Sequence, residues 1–251
     1  MIRGITDTVK HLIIINVVMF IGTLAIGNGQ SFYEWFSLFF PANELFKPWQ
    51  IFTHMFMHGD YMHIGFNMFA LWMFGTAVET QLGAKKFLFI YISAGLGAVL
   101  FQLGYYYFNY LPIHSELIAS GLTDSQLVQM FTSNETINGI SENQYNLLKE
   151  GFSVYNARMV GASGCIMGIL AAFGMMNPDA KLMMIFLPIP IKAKYFIPGI
   201  ILLDIISAIS GQSFFSPSNT AYMAHVGGAL VGFLIMLYWK KTQFNKNRWD
   251  R

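Results

Sequence analysis

Six continuous apolar runs decide most of what this chain can fold into. They lie at roughly residues 12–26, 62–78, 87–107, 160–176, 196–209 and 219–238. A run that enters lipid must satisfy its own backbone N–H and C=O groups, which only a helix or a closed barrel does. Barrel strands alternate apolar and polar residues. These runs do not alternate, so the reading is an all-α membrane protein of six transmembrane helices. Some runs are short for a hydrocarbon core of about 30 Å, which predicts irregular or locally thinned regions. The first run follows Arg3 and Lys10 as the core of a signal peptide would. Because the rest of the chain is equally apolar, it is read as a retained first helix.

Composition supports this reading. Charged residues make up 11% and hydrophobic residues 55% of the 251, whereas a soluble domain carries roughly 25% charge. So little charge cannot cover a soluble surface, which excludes a cytosolic enzyme, a nucleic-acid binder and a disordered tail. The single cysteine, Cys165, closes no internal disulfide. With the N-terminus inside, the inner segments hold Arg3, Lys10, Lys85, Lys86, Lys181, Lys192, Lys194, Lys240, Lys241, Lys246, Arg248 and Arg251, 12 of the 15 basic residues. The outer segments hold Lys47, Lys149 and Arg158. Positive charge collects on the cytoplasmic side, so both termini are expected to be cytoplasmic.

The connecting segments differ in kind. Residues 27–61 are rich in aromatics, among them Phe32, Tyr33, Trp35, Phe36, Phe39 and Phe40, and are expected at the interface. Residues 108–159 are polar and acidic and are expected to form an extramembrane loop, within which Ser141 and Gln144 suit a capping box. Asn134-Glu135-Thr136 fits a glycosylation acceptor, which matters only in a secretory compartment. Residues 183–191, with Pro188 and Pro190, are too broken to span and are read as an inner surface hairpin. No internal repeat or long linker divides the chain, so residues 1–251 are read as one domain.

Polar side chains inside membrane helices are costly and are functional candidates by default. Ser163 opens the fourth run within Gly161-Ala162-Ser163-Gly164. Its small neighbours leave the hydroxyl approachable, and the helix start offers free N–H groups. Ser163 is equally explained as a small residue at a helix contact, since Gly164 and Gly168 are four apart. His225 lies just inside the sixth run with Gly228 and Gly232 behind it; at about 100° per residue the three share one face. If the glycine face of the fourth helix packs there, His225 meets Ser163; otherwise a backbone carbonyl satisfies the ring. His63 and Asn67, four apart on the second run, suit either oxyanion donors or an interhelical hydrogen-bonded pair. Three distant segments thus put a hydroxyl, an imidazole and two further donors near one depth. A serine needs a base to become a nucleophile, and acyl transfer needs oxyanion donors.

In these pieces the sequence resembles the rhomboid family of intramembrane serine proteases. The matching motifs are Thr53-His54 through His63-Ile64-Gly65-Phe66-Asn67, Gly161-Ala162-Ser163-Gly164, and Ala224-His225 with Gly228 and Gly232. The resemblance implies a six-helix rhomboid-like bundle and hydrolysis of peptide bonds in or near the transmembrane segments of membrane-protein substrates. It implies no metal and no cofactor, with the lipid bilayer and transmembrane proteins as partners. Ser163 is the implied nucleophile and His225 the general base, then general acid. His63, Asn67 and the backbone N–H of Ser163 are the implied oxyanion donors. The implied pair is a dyad with no acidic third member, and the second, fourth and sixth runs carry no Asp or Glu at that depth. Two positions depart from the family pattern: Gln50 follows Trp49 where arginine is frequent, and Met167 stands where some members carry tyrosine.

Other readings are weaker. His54, His58 and His63 cluster, but no Glu lies between them as a metalloprotease motif requires. An aspartyl intramembrane protease needs two carboxylates, and only Asp204 lies deep in a run; Asp204 is expected to bond within the bundle or to sit near the outer cavity. A transporter would show matched repeats. The rival from another class is an inactive relative that binds membrane clients without cutting them. The fifth run is entered through Pro198-Gly199, which suits either a flexible gate or a plain kink. The compact form suggests a bacterial inner membrane, with the active site opening to the outer face.

Overall fold

The computed structural model describes residues 4–184, 187–213 and 221–244. The start of the sixth run at 219–220, and the basic residues Arg3, Lys246, Arg248 and Arg251, lie outside them. The chain begins with α1 (Asp7–Ala25), a short α2 (Gln30–Phe36), the two-residue strand β1 (Leu38–Phe39) and the single turn α3 (Gln50–Thr53). The second apolar run is α4 (Tyr61–Ala70), a π-helical turn at Leu71–Gly75, and α5 (Thr76–Leu82). The long α6 (Ala84–Ala119) leads to α7 (Asp124–Ser133) and α8 (Glu142–Tyr155). Strand β2 (Arg158–Met159), α9 (Ser163–Met176), the hairpin β3 (Lys181–Met184) and β4 (Leu187–Lys192), α10 (Ala193–Ser210) and α11 (Tyr222–Trp239) follow.

Among the described residues, four helices are long and apolar enough to cross a bilayer: Asp7–Ala25, Ala84–Ala119, Ala193–Ser210 and Tyr222–Thr242. The fourth apolar run folds as α9, whose 14 residues fall short of that length. The second is interrupted by its π turn. The lipid-facing character shows in which side is polar. α1 turns Val18, Ile21 and Leu24 outward and buries Asn16 and Thr23; α10 turns Leu202, Ile206 and Ile209 outward and buries Asp204 and Ser207. A water-soluble helix does the reverse.

α6, α9 and α11 form the centre, and their small residues explain how closely they meet. A Cβ added at Gly228 would overlap the carbonyl oxygen of Gly164, and one at Gly232 that of Gly168. Cβ atoms at Gly164 and Gly168 would in turn collide with Ala98 and Ala94 of α6. Lipid gives no hydrophobic drive for helix association, so close backbone approach through small residues is what holds such a seam. α1 is fastened at its start. Thr6 Oγ1 and the N–H groups of Thr8 and Val9 donate to the Glu79 carboxylate of α5 at 2.6, 3.3 and 3.1 Å. The carboxylate satisfies orphan donors at the positive end of the helix dipole.

The segment expected to be a loop at 108–159 is largely helical. α6 runs for 36 residues, about 54 Å at 1.5 Å per residue, well beyond a core of about 30 Å. The apolar run falls off after residue 107, and the helix itself continues through Pro112 to Ala119. α7 and α8 each start on a capping box, Thr123 with Gln126 and Ser141 with Gln144. They pack with the α6 extension around a separate apolar cluster that includes Tyr110, Leu127, Phe131, Leu148 and Tyr155. Phe40 from the 38–47 segment joins this cluster. At the other end, β3 pairs with β4 antiparallel, Lys181 opposite Lys192, so the broken apolar stretch there is a hairpin. Lys194 and Lys192 both reach Asp179, at 3.0 and 3.1 Å, and hold its carboxyl below the usual range.

Candidate active site

Ser163 is the first residue of α9, half-buried, and its position is set by the strand that leads to it. β1 pairs with β2, Leu38 opposite Met159 and Phe39 opposite Arg158. Two residues later Gly161 N–H donates to the carbonyl of His54 at 2.9 Å. Gly161 has φ +124°, in the region that favours glycine. Its missing side chain also makes room: a Cβ there would sit 2.8 Å from His63 Nε2 and 3.7 Å from Asn67 Nδ2. The two α4 side chains therefore reach the segment that delivers Ser163. The first N–H groups of α9 have no intrahelical acceptor, and no side chain caps them among the described residues.

α4 holds its donors one turn apart. Asp60 caps the helix by accepting the His63 N–H at 2.8 Å. The His63 ring meets His58 edge-on, centroids 5.0 Å apart. Asn67 is 7% exposed, and its Nδ2 has no hydrogen-bond partner among the described residues. A buried donor left unpaired costs about 1–3 kcal/mol. His54 takes a different role: its Nδ1 lies 2.8 Å from the Gln50 carbonyl, within its own turn.

His225 comes from α11. The start of that helix is tied to α6 through Ala224 N–H, which donates to Gln102 Oε1 at 3.2 Å. The Gly228–Gly164 and Gly232–Gly168 contacts then set α11 against α9, so the two helices that carry His225 and Ser163 touch backbone to backbone. The His225 ring is buried, and its Nδ1 lies 2.8 Å from Asp204 Oδ2 of α10. Where that carboxyl is ionised it only accepts, and Nδ1 is then the donor and Nε2 the basic nitrogen. This corrects the expectation of a pair without an acid: a carboxylate does reach the imidazole, from the fifth apolar run instead of the second, fourth or sixth. Met167 is buried in the apolar core with Ile166 and Leu170.

Gln50, which stands where the family often has arginine, is fully buried and makes four bonds, three to the 38–47 segment and one to Glu34 of α2. Its Nε2 donates to the carbonyls of Glu34 and Leu45 at 2.9 and 3.0 Å; its Oε1 accepts from the N–H groups of Lys47 and Phe39 at 3.0 and 3.4 Å. An amide does this with both ends, whereas a guanidinium only donates. Gln50 and the Asp204–His225 contact are what reading residue types alone missed. The signal for Asp204 was present as the one deep carboxylate, but its partner lies 21 residues away on another helix.

The chain matches known proteins over most of its length. Residues 45–241 match the family model of the Rhomboid domain. Rhomboid protein 1, mitochondrial, of Saccharomyces cerevisiae is 27% identical over 188 residues, 74% of this chain and 40% of the relative. The presenilin-associated rhomboid-like protein, mitochondrial, of Homo sapiens is 25% identical over 242 residues, 94% of this chain and 50% of the relative. The rhomboid protease AarA of Providencia stuartii is 29% identical over 199 residues, 75% of this chain and 55% of the relative. The chain thus spans about half the length of the relatives it matches. The expectation of a bacterial inner membrane is overturned by the relatives whose names place them in mitochondria, one of which aligns with 94% of this chain; compactness of form carries no information about the organelle. The apolar helices and the match over 45–241 together leave one conclusion, that this chain is a membrane protein of the rhomboid family.

Proposed function

We propose that this chain is an intramembrane serine endopeptidase, cutting peptide bonds in or near the transmembrane segment of membrane-protein substrates. The observation that carries the reading is the state of His225. Its Nδ1 lies against the Asp204 carboxyl, which suits Nε2 to act as the base, and its helix is in glycine-to-glycine contact with the helix that Ser163 begins. In the proposed reaction Ser163 Oγ attacks the scissile carbonyl as its proton passes to His225 Nε2. The negative charge that develops on the carbonyl oxygen is met by Asn67 Nδ2, the His63 ring and the Ser163 N–H. His225 then returns the proton to the leaving amine, and water, activated by the same nitrogen, releases the acyl group from Ser163. The steps use protein groups and water alone. The proposed setting is a six-helix bundle, both termini on one side, with α7 and α8 a cap on the opposite side.

The test is cleavage of a single-span substrate by wild type, Ser163→Ala and His225→Ala, reconstituted in liposomes. Both substitutions should abolish cleavage while the protein still folds. Cleavage that survives Ser163→Ala removes Ser163 as the nucleophile. A wild type that binds the substrate and leaves it whole is instead a client-binding protein.

A further inference from the structure

We propose that Asp204 is the positioning residue of this site: through its hydrogen bond it selects the tautomer and ring orientation of His225, so the catalytic base is held by an acid as in a Ser-His-Asp triad. The proposal rests on the serine-protease reading above and concerns how its base is held.

Asp204 is 1% exposed in the middle of α10, a helix that otherwise turns large apolar side chains outward. A carboxylate so placed is costly unless hydrogen-bonded or paired. The described geometry brings it to His225 Nδ1 at 2.8 Å, across an interface between two helices. On its own helix Ala224, Gly228 and Ala229 offer no side-chain polar atom to orient the ring, and the phenol of Tyr222 stands one turn before it. Without an acceptor at Nδ1, a neutral imidazole can carry its proton on Nε2, the wrong nitrogen for a base that must take the proton of Ser163. The Asp204 carboxylate removes that alternative. When Nε2 receives the serine proton, the ring becomes a cation facing an anion in an apolar surrounding, where such a pair is strongest. The proton stays on His225 until it is given to the leaving amine, and Asp204 remains ionised throughout. Asp204 touches neither substrate nor Ser163 in this account; it acts through His225.

The experiment uses the full chain in detergent micelles and compares wild type, Asp204→Asn and Asp204→Glu. Four quantities are read: melting temperature, KM and kcat on a fluorogenic single-span substrate, and the rate of labelling by a fluorophosphonate. The Asn variant preserves shape but offers an N–H toward Nδ1 and favours the wrong tautomer. It is expected to melt like wild type and to keep KM. Its kcat and labelling rate should fall together, by up to about 10⁴-fold, the loss that the same change causes in a Ser-His-Asp protease. The Glu variant, which retains the carboxylate, should recover part of both rates. An Asn variant whose kcat and labelling stay within a few-fold of wild type overturns the proposal. So does a loss of rate that tracks a loss of folding and that Glu does not relieve, which would make Asp204 a packing residue. A wild type that neither cleaves nor labels overturns the protease reading, and the proposal with it; a labelling wild type beside an unaffected Asn variant overturns the proposal alone.

Discussion

Asn67 carries a cost that the proposed reaction would recover. Its amide nitrogen is buried without a partner among the described residues, facing the Gly161 segment that His63 also faces. In the resting protein that donor is a loss of about 1–3 kcal/mol; with an oxyanion in place it becomes a charge-assisted hydrogen bond. Asn67→Ala should therefore lower kcat on the order of 10- to 1000-fold, as for a lost oxyanion donor. The melting temperature should change little, because no existing bond is broken. Kinetics on the fluorogenic substrate with parallel melting curves check this; unchanged kcat would remove Asn67 from the site. At the same scale Gln50 replaces a cation by an amide that uses donor and acceptor ends at once. Its role was not legible in the sequence, because nothing in the residue type says that four backbone groups converge on it.

At the scale of elements, the site depends on how closely α9 and α11 approach. Gly228→Ala would drive a methyl into the backbone carbonyl of Gly164, an atom that cannot rotate away. The expected cost is about 1–3 kcal/mol of overpacking, seen as a lower melting temperature and slower serine labelling as the two helices part. Gly199→Ala in α10 is the control, since no atom lies within 4 Å of its Cβ position. Alanine is the better helix former, so this variant should melt at or above the wild-type temperature. Equal effects from the two changes would deny the seam its role. The spacing of Gly164, Gly168, Gly228 and Gly232 made this contact legible, because four-residue spacing lies on one helix face. The extent of α6 was not legible. Hydropathy reports the surrounding medium and not the backbone, and 108–119 is less apolar without ceasing to be helix. Nor was the Asp204–His225 bond, because helix pairing between α10 and α11 is a property of the assembled bundle.

For the whole molecule, the account requires a single-sided distribution of charge and a single site. The proposed arrangement puts Lys85 and Lys240 on one face of the membrane and Lys149, on α8, on the other. Cysteines placed singly at 85, 149 and 240 should react with an impermeant maleimide from opposite sides, 149 against the other two. The native Cys165 is buried and adds little background. Reaction of all three from one side would contradict the arrangement. The buried cluster at the meeting of α6, α7 and α8 is separate from the central core, and the proposed site draws on α4, α9, α10 and α11. The central claim is that His225 makes Ser163 a nucleophile. Its most direct measurement is fluorophosphonate labelling of wild type and His225→Ala, with the modified residue located by peptide mass spectrometry. The account predicts modification at Ser163 in the wild type and its loss in the variant. Equal labelling of both proteins, or labelling at a residue other than Ser163, would contradict it.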